Sequence, residues 1–148
     1  MITSLLFYSV TNLKNTGANM VTVKWATFSE IDPKREYFAY AGYAERNGVW
    51  SYFPFLMRAR KVQNQLNTTR GLIGFTARLG FLNKEVVQLA VFQDEVALKG
   101  FAHSGQHANC MKTTKSSLKF LKQTSWNISG SDLPPKIDEA INRIQNRK

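Results

Sequence analysis

The sequence predicts a single α+β domain, and three observations carry that expectation. The chain has 148 residues, 43% of them apolar, enough for one good core and not for two. Segments with a two-residue hydrophobic period alternate with segments of helical period. The pair of runs between 72 and 92 reads as a hairpin, so the sheet it starts is antiparallel.

Residues 1–19 read as an N-terminal extension, expected to be poorly ordered: "TNLKNTGAN" is polar, turn-rich and without periodicity. The domain proper is expected over 20–148. Its first strand is read from "MVTVKWATFS", where Val21, Val23, Trp25 and Thr27 alternate with Thr22, Lys24 and Ala26. An aromatic insert then follows: Tyr37, Phe38, Tyr40, Tyr43, Trp50, Tyr52, Phe53 and Phe55 are eight of the chain's eighteen aromatic residues. So many rings require cover from a core, a cavity, a partner chain or a nucleic-acid base.

From Ser51 the period becomes helical, with Phe55, Ala59, Val62 and Leu66 on one stripe. Pro54 suits the first turn, and Gly71 ends the region. "GLIGFTARLGFL" and "VVQLAVFQ" form the hairpin. Asp94 is a candidate N-cap for the next helix, with Glu95 in its first turn. Ser104-Gly105 breaks that helix, and helical spacing resumes through Ala108, Met111, Leu118 and Leu121. A short last strand is expected around Trp126 and Ile128. Pro134-Pro135 precedes a final helix striped by Ile137, Ala140, Ile141 and Ile144.

This order, β-α-β-β-α-β with a tail helix, is the ferredoxin-like split arrangement. Its helices are expected on one sheet face. Apolar residues occur on both sides of the strands, so a homodimer stacking two sheets is expected to cover the other face.

The net charge of +10 is the footprint of a nucleic-acid or anionic-surface binder. Its distribution argues otherwise. Lys and Arg outnumber acids by five to four over 1–50, six to one over 51–93 and nine to five over 94–148. The densest clusters are Arg58, Arg60 and Lys61, then Lys112, Lys115, Lys119 and Lys122. A solvated basic surface is the simpler reading, and nucleic-acid binding is kept as an alternative. One cysteine excludes an intrachain disulfide and suits a reducing compartment. The longest apolar runs are too short to span a membrane, and "MITSLLFYSV" lacks signal-peptide features. A cytoplasmic protein is expected.

His103, His107 and Cys110 stand at i, i+4 and i+7 in "FAHSGQHANCM" and would share one face of an unbroken helix. The Ser-Gly break separates them, and no further His or Cys exists to complete a zinc shell. No metal is therefore expected. Cys110 is read as an inert buried thiol. Phosphate loops, nucleophile elbows and paired carboxylates are lacking in the sequence.

The stretch "VVQLAVFQDEVALKGFAHSGQHANCM" resembles the signature of the dimeric α+β barrel superfamily. That signature joins a hydrophobic strand ending in Trp or Phe, an acidic helix start of the type "D/E-E-x-A-L-x-x-F" and a "Ser-Gly/Pro-x-His" turn. "FPFLMRARKVQNQLNTTRGLIGFTAR" is similar to that superfamily's first helix and its "GLLGF" strand. The resemblance spans about residues 20–129 and points to the antibiotic-biosynthesis-monooxygenase-like and spheroidene-monooxygenase-like proteins. It implies a dimeric α+β barrel with a pocket between sheet and helices, and small oxygenases that work without a cofactor or on haem. Haem-degrading members use an Asn on the first strand, a Trp at the end of the third and a His on the second helix. The last two positions fall on Phe92 and Met111, and "MVTVKWATFS" has no Asn, so that chemistry is not implied.

His107 matches the "Ser-Gly-x-His" position. It is the candidate catalytic residue, as proton donor, base or haem ligand; the simpler reading is a pocket-wall or helix-capping residue that hydrogen-bonds a nearby carbonyl. Trp25, Tyr52, Phe75, Phe92 and Phe101 are the candidate pocket walls for a flat apolar or aromatic ligand. The function expected is that of a small monooxygenase-like protein; a non-catalytic ligand-binding dimer is the alternative.

Overall fold

The computed structural model describes residues 14–15, 20–47, 57, 61–62, 64–80, 84–114 and 118–146. They form six strands: β1 (Lys14–Asn15), β2 (Met20–Thr27), β3 (Glu36–Arg46), β4 (Leu72–Gly80), β5 (Glu85–Phe92) and β6 (Leu118–Ser129). Helix α1 is helical at 61–62 and 64–68. It is followed by α2 (Glu95–Ala102), α3 (Gly105–Thr114) and α4 (Ile137–Gln145). The strands make one antiparallel sheet in the order β1-β2-β4-β5-β3-β6.

The α+β, ferredoxin-like class is the one expected, but its first strand is β3. The unit runs β3-α1-β4-β5-α2/α3-β6, and β1 and β2 extend the sheet beyond β4. The expected aromatic insert is in good part this strand. β3 pairs with β5 from Phe38↔Phe92 to Glu45↔Glu85 and with β6 from Glu36↔Ser129 to Arg46↔Leu118. A strand flanked on both edges and covered on both faces carries apolar side chains in both directions, so its alternation is blurred. Tyr37, Ala39 and Ala41 are buried on one face, and Phe38 and Tyr40 are half-buried on the other.

Two further boundaries differ from expectation. The last strand begins at Leu118, so Leu118 and Leu121 belong to β6 and not to a helix, which ends at Thr114. Of the N-terminal extension, Lys14 and Asn15 pair with Thr22 and Val21; residues 1–13 and 16–19 lie outside the described residues.

Helices cover both faces of the sheet, where one face was expected. On one side, Leu66 of α1 and Phe101 of α2 pack on Leu72, Ala90 and Phe92. On the other, α4 buries Ile137, Ala140 and Ile144 at i, i+3 and i+7. Ala140 and Ile144 pack on Ala41 and Leu89. The small Ala39 and Ala41, both fully buried, let the helix sit close to β3. Each buried isoleucine contributes about 1.5–3 kcal/mol. Arg78 Nη1 reaches Asp138 Oδ1 at 2.7 Å, and the Arg143 guanidinium lies 4.8 Å from the Trp126 ring centre, so polar contacts fasten α4 as well. The face from which a stacked homodimer was expected is thus covered by the chain's own C-terminal helix.

A register shift in β2 between Val23 and Ala26 turns Trp25 onto Gly74, itself beside a shift in β4. A Cβ on Gly74 would fall inside the indole ring.

The α2–α3 break is held by a side chain from α1. Gln65 Nε2 donates to the carbonyls of Ser104 at 3.0 Å and Phe101 at 3.4 Å, while Oε1 accepts from the His107 N–H at 2.7 Å. One amide thereby satisfies carbonyls ending α2 and an N–H opening α3. Gly105 makes the turn at φ +60°, a conformation glycine adopts without penalty. Asp94 caps the start of α2, Oδ1 accepting from the Ala97 N–H at 2.8 Å.

Two measurements check these contacts. Gly74→Ala should cost about 1–3 kcal/mol in urea unfolding, and most of that loss should disappear in a Trp25→Ala background. Gln65→Leu should cost about 1–3 kcal/mol and raise hydrogen exchange at the His107 amide.

Candidate functional site

Alternation along the strands sorts the expected site residues. Phe75, Phe92 and Phe101 lie together on the side covered by α1, α2 and α3. Phe92 is 0% exposed and Phe101 9%, with ring centroids 5.7 Å apart. Both are core groups under the site. Phe75 is half-buried, as are Phe38 and Tyr40 of β3, which face the same way through the pairs Phe38↔Phe92 and Tyr40↔Ala90. Trp25 is on the opposite face, packed against the cluster of Tyr37, Ala39, Ile73, Val91 and Ile128. The structure therefore separates Trp25 from the other rings. Tyr52 lies outside the described residues.

His107, in the first turn of α3, packs on Phe101. Its ring centroid is 4.7 Å from that of Phe101 at an interplanar angle of 41°. Nδ1 lies 3.2 Å from the Ala102 carbonyl oxygen. A carbonyl only accepts, so Nδ1 carries the proton and donates. In the neutral ring the basic lone pair then sits on Nε2. Burial holds the imidazole pKa below the usual 6.5; the Ala102 carbonyl opposes this, and His103 adds to it by charge repulsion. His103 itself is exposed. Among the described residues no three His, Cys, Asp or Glu side chains gather as a metal shell, and the Cys110 side chain lies outside them.

The composition-based reading missed a second polar point on this side. A Cβ on Gly42 would lie 3.3 Å from Tyr40 Oη and 3.5 Å from Gln88 Cγ, so the phenol and the amide chain meet over a residue with no side chain. Tyr40 also hydrogen-bonds the Gln123 side chain. Burial pushes its pKa up to about 12, which that bond only partly offsets. The phenol stays protonated. The available signal was Gln88, the one polar residue within "VVQLAVF".

A haem cofactor would take His107 as its ligand. The tautomer of His107 would suit an axial ligand, but a porphyrin would need the faces of Phe92 and Phe101 open, and both are buried in the core. With the first strand reassigned to β3, "EYFAYAGYAER" also has no Asn. These residues do not fit the group.

Lys61 and Lys112 are exposed on different helices, and Lys119 pairs with Glu45 at 2.9 Å; Arg58 and Arg60 lie outside the described residues. No helix among the described residues is long and apolar enough to cross a membrane.

No family model matches the sequence, and no curated protein matches it. Solved structures do match. A conserved protein from Methanosarcina mazei aligns with a TM-score of 0.55 at 11% identity, over 61% of this chain and 90% of its own. A proposed antibiotic biosynthesis monooxygenase from Nitrosomonas europaea aligns with a TM-score of 0.54 at 12% identity, over 60% and 95%. A proposed monooxygenase from Lactobacillus acidophilus aligns with a TM-score of 0.57 at 10% identity, over 76% of this chain and 52% of its own. The chain shares the ferredoxin-like α+β fold of these solved structures.

Proposed function

We propose that this chain is a small monooxygenase-like protein. It binds a flat apolar or aromatic molecule on the side of the sheet covered by α1, α2 and α3 and acts on it through His107. The observation that carries this reading is the state of His107. Its Nδ1–H is committed to Ala102, its Nε2 is the basic atom, and burial keeps the ring neutral at pH 7. A neutral imidazole beside apolar rings is suited to take a proton from a weakly acidic substrate. Half-buried Phe75 and Phe38 offer the ligand apolar contact, and the neutral Tyr40 phenol offers a hydrogen bond to one of its oxygens. The names of the structural neighbours add support at the level of fold.

The working unit in this reading is a homodimer in the cytoplasm. Because α4 covers the stacking face, the copies would meet elsewhere.

A screen of aromatic hydroxy compounds and ketones, read by oxygen uptake and by ligand-induced fluorescence change, tests the proposal. His107→Ala and His107→Gln should lower turnover by about 10²–10⁴-fold with an unchanged circular-dichroism spectrum. Unchanged turnover in both variants would contradict the proposal, and binding without turnover in the wild type would leave the ligand-binding dimer in its place.

The pH dependence has a defined sign. His107 is charged more easily in the unfolded chain, near 6.5, than in the fold. Its contribution to stability is therefore full above 6.5 and is lost as pH falls through the lower folded value. Turnover should fall over the same acid range, since protonation removes the base. Both acid losses should vanish in His107→Gln.

A further inference from the structure

The side of the sheet covered by α1, α2 and α3 carries a row of neutral polar groups across three strands. Gly42 of β3 pairs with Gln88 of β5 at one edge and with Gln123 of β6 at the other. Directly paired residues share a sheet face, so two carboxamides flank a residue with no side chain. The Tyr40 phenol reaches between them. A Cβ on Gly42 would lie 3.3 Å from Tyr40 Oη and 3.6 Å from Gln88 Nε2.

Hydrogen bonding along the row has a direction. The Gln123 bond favours the phenolate form of Tyr40, so the amide N–H donates and Oη accepts. The phenol O–H is left to donate outward. Gln88 is half-buried between Val86 and Ala90, both buried. Its carboxamide meets no hydrogen-bond partner among the described residues, and a polar group in such surroundings gives up hydration without replacement. The row is also electrically neutral. Its neighbours on this face are Ala44, Ala77, Val86, Ala90, Leu121 and Ser125, none of them charged. The three alanines keep the floor low enough for a flat molecule to lie on it. Gln123 and Ser125 are exposed, so the row opens toward β6.

We propose that Gln88, with Tyr40 and Gln123 beside it, recognises the amide edge of a flat heterocycle, the adjacent N–H and C=O of a lactam or imide. A carboxamide presents one donor and one acceptor in a single plane, and a cis-amide edge answers both at once. A ketone alone would leave Gln88 Oε1 unpaired, and a carboxylate would bring an uncompensated charge onto an apolar floor. The phenol O–H supplies a second donor to the same lactam oxygen. Gln88 thereby acts as a specificity residue: an analogue lacking the N–H leaves a desolvated acceptor behind and is rejected for that reason. The inference rests on the reading of this side of the sheet as the ligand side, and it names the ligand class taken there.

Titration calorimetry of the full chain with 2-quinolone and with 1-methyl-2-quinolone tests this. The methyl group removes the N–H and keeps the rings and the carbonyl. The wild type should bind 2-quinolone at least about tenfold more tightly. Gln88→Leu should erase that preference while holding 1-methyl-2-quinolone within about threefold of its wild-type affinity. Gln88→Met, which keeps the length of the side chain, should do the same, so a folding defect in one variant leaves the test standing. His107→Gln should keep the preference, which separates recognition from the proposed chemistry. Equal wild-type affinity for the two quinolones would overturn the inference and leave the ligand side in place, as would a preference that survives both Gln88 variants. Binding of neither compound at about 1 mM would overturn both.

Discussion

The burial of β3 on both faces is the constraint on which the rest of the structure depends. Its two edges are taken by β5 and β6, so from Phe38 to Glu45 the backbone is paired on both sides. Its side chains must then satisfy two different covers. Toward α4 they are Tyr37, Ala39, Ala41 and Tyr43, small at the centre so that a helix can approach. Toward α1, α2 and α3 they are Phe38, Tyr40, Gly42 and Ala44, large at one end and small at the other.

That division gives the two faces different roles. The α4 face is closed by Ile137, Ala140 and Ile144. The opposite face is packed at the level of Phe92 and Phe101 but keeps half-buried rings and neutral polar groups at its rim. His107 belongs to the rim because Gly105 breaks the helix just before it and Gln65 locks both sides of the break. The position of the imidazole therefore depends on an α1 side chain more than on anything in its own helix.

Features set by local chemistry were legible in the amino-acid sequence. The 72–92 hairpin, the Asp94 cap, the break at Ser104-Gly105 and the amphipathic tail helix each follow from a few neighbouring residues. Features set by tertiary cover were not. β3 was hidden because a doubly buried strand lacks the alternation that marks a half-buried one. Leu118 and Leu121 mimic a helical spacing while standing on an exposed edge strand. Trp25 looked like a companion of Phe75 until the register shift in β2 placed it on the other face. His107 was picked out by its motif, whereas Gln65 and Tyr40 gained their roles only from elements distant in the chain.

The proposed chemistry of His107 rests on one protonation state. Long-range nitrogen–proton NMR of the His107 ring, followed from pH 8 to pH 4, reads it directly. The structure requires a proton on Nδ1, a bare Nε2 at neutral pH and a midpoint below 6.5. A proton on Nε2, or a midpoint at or above that value, would contradict the account.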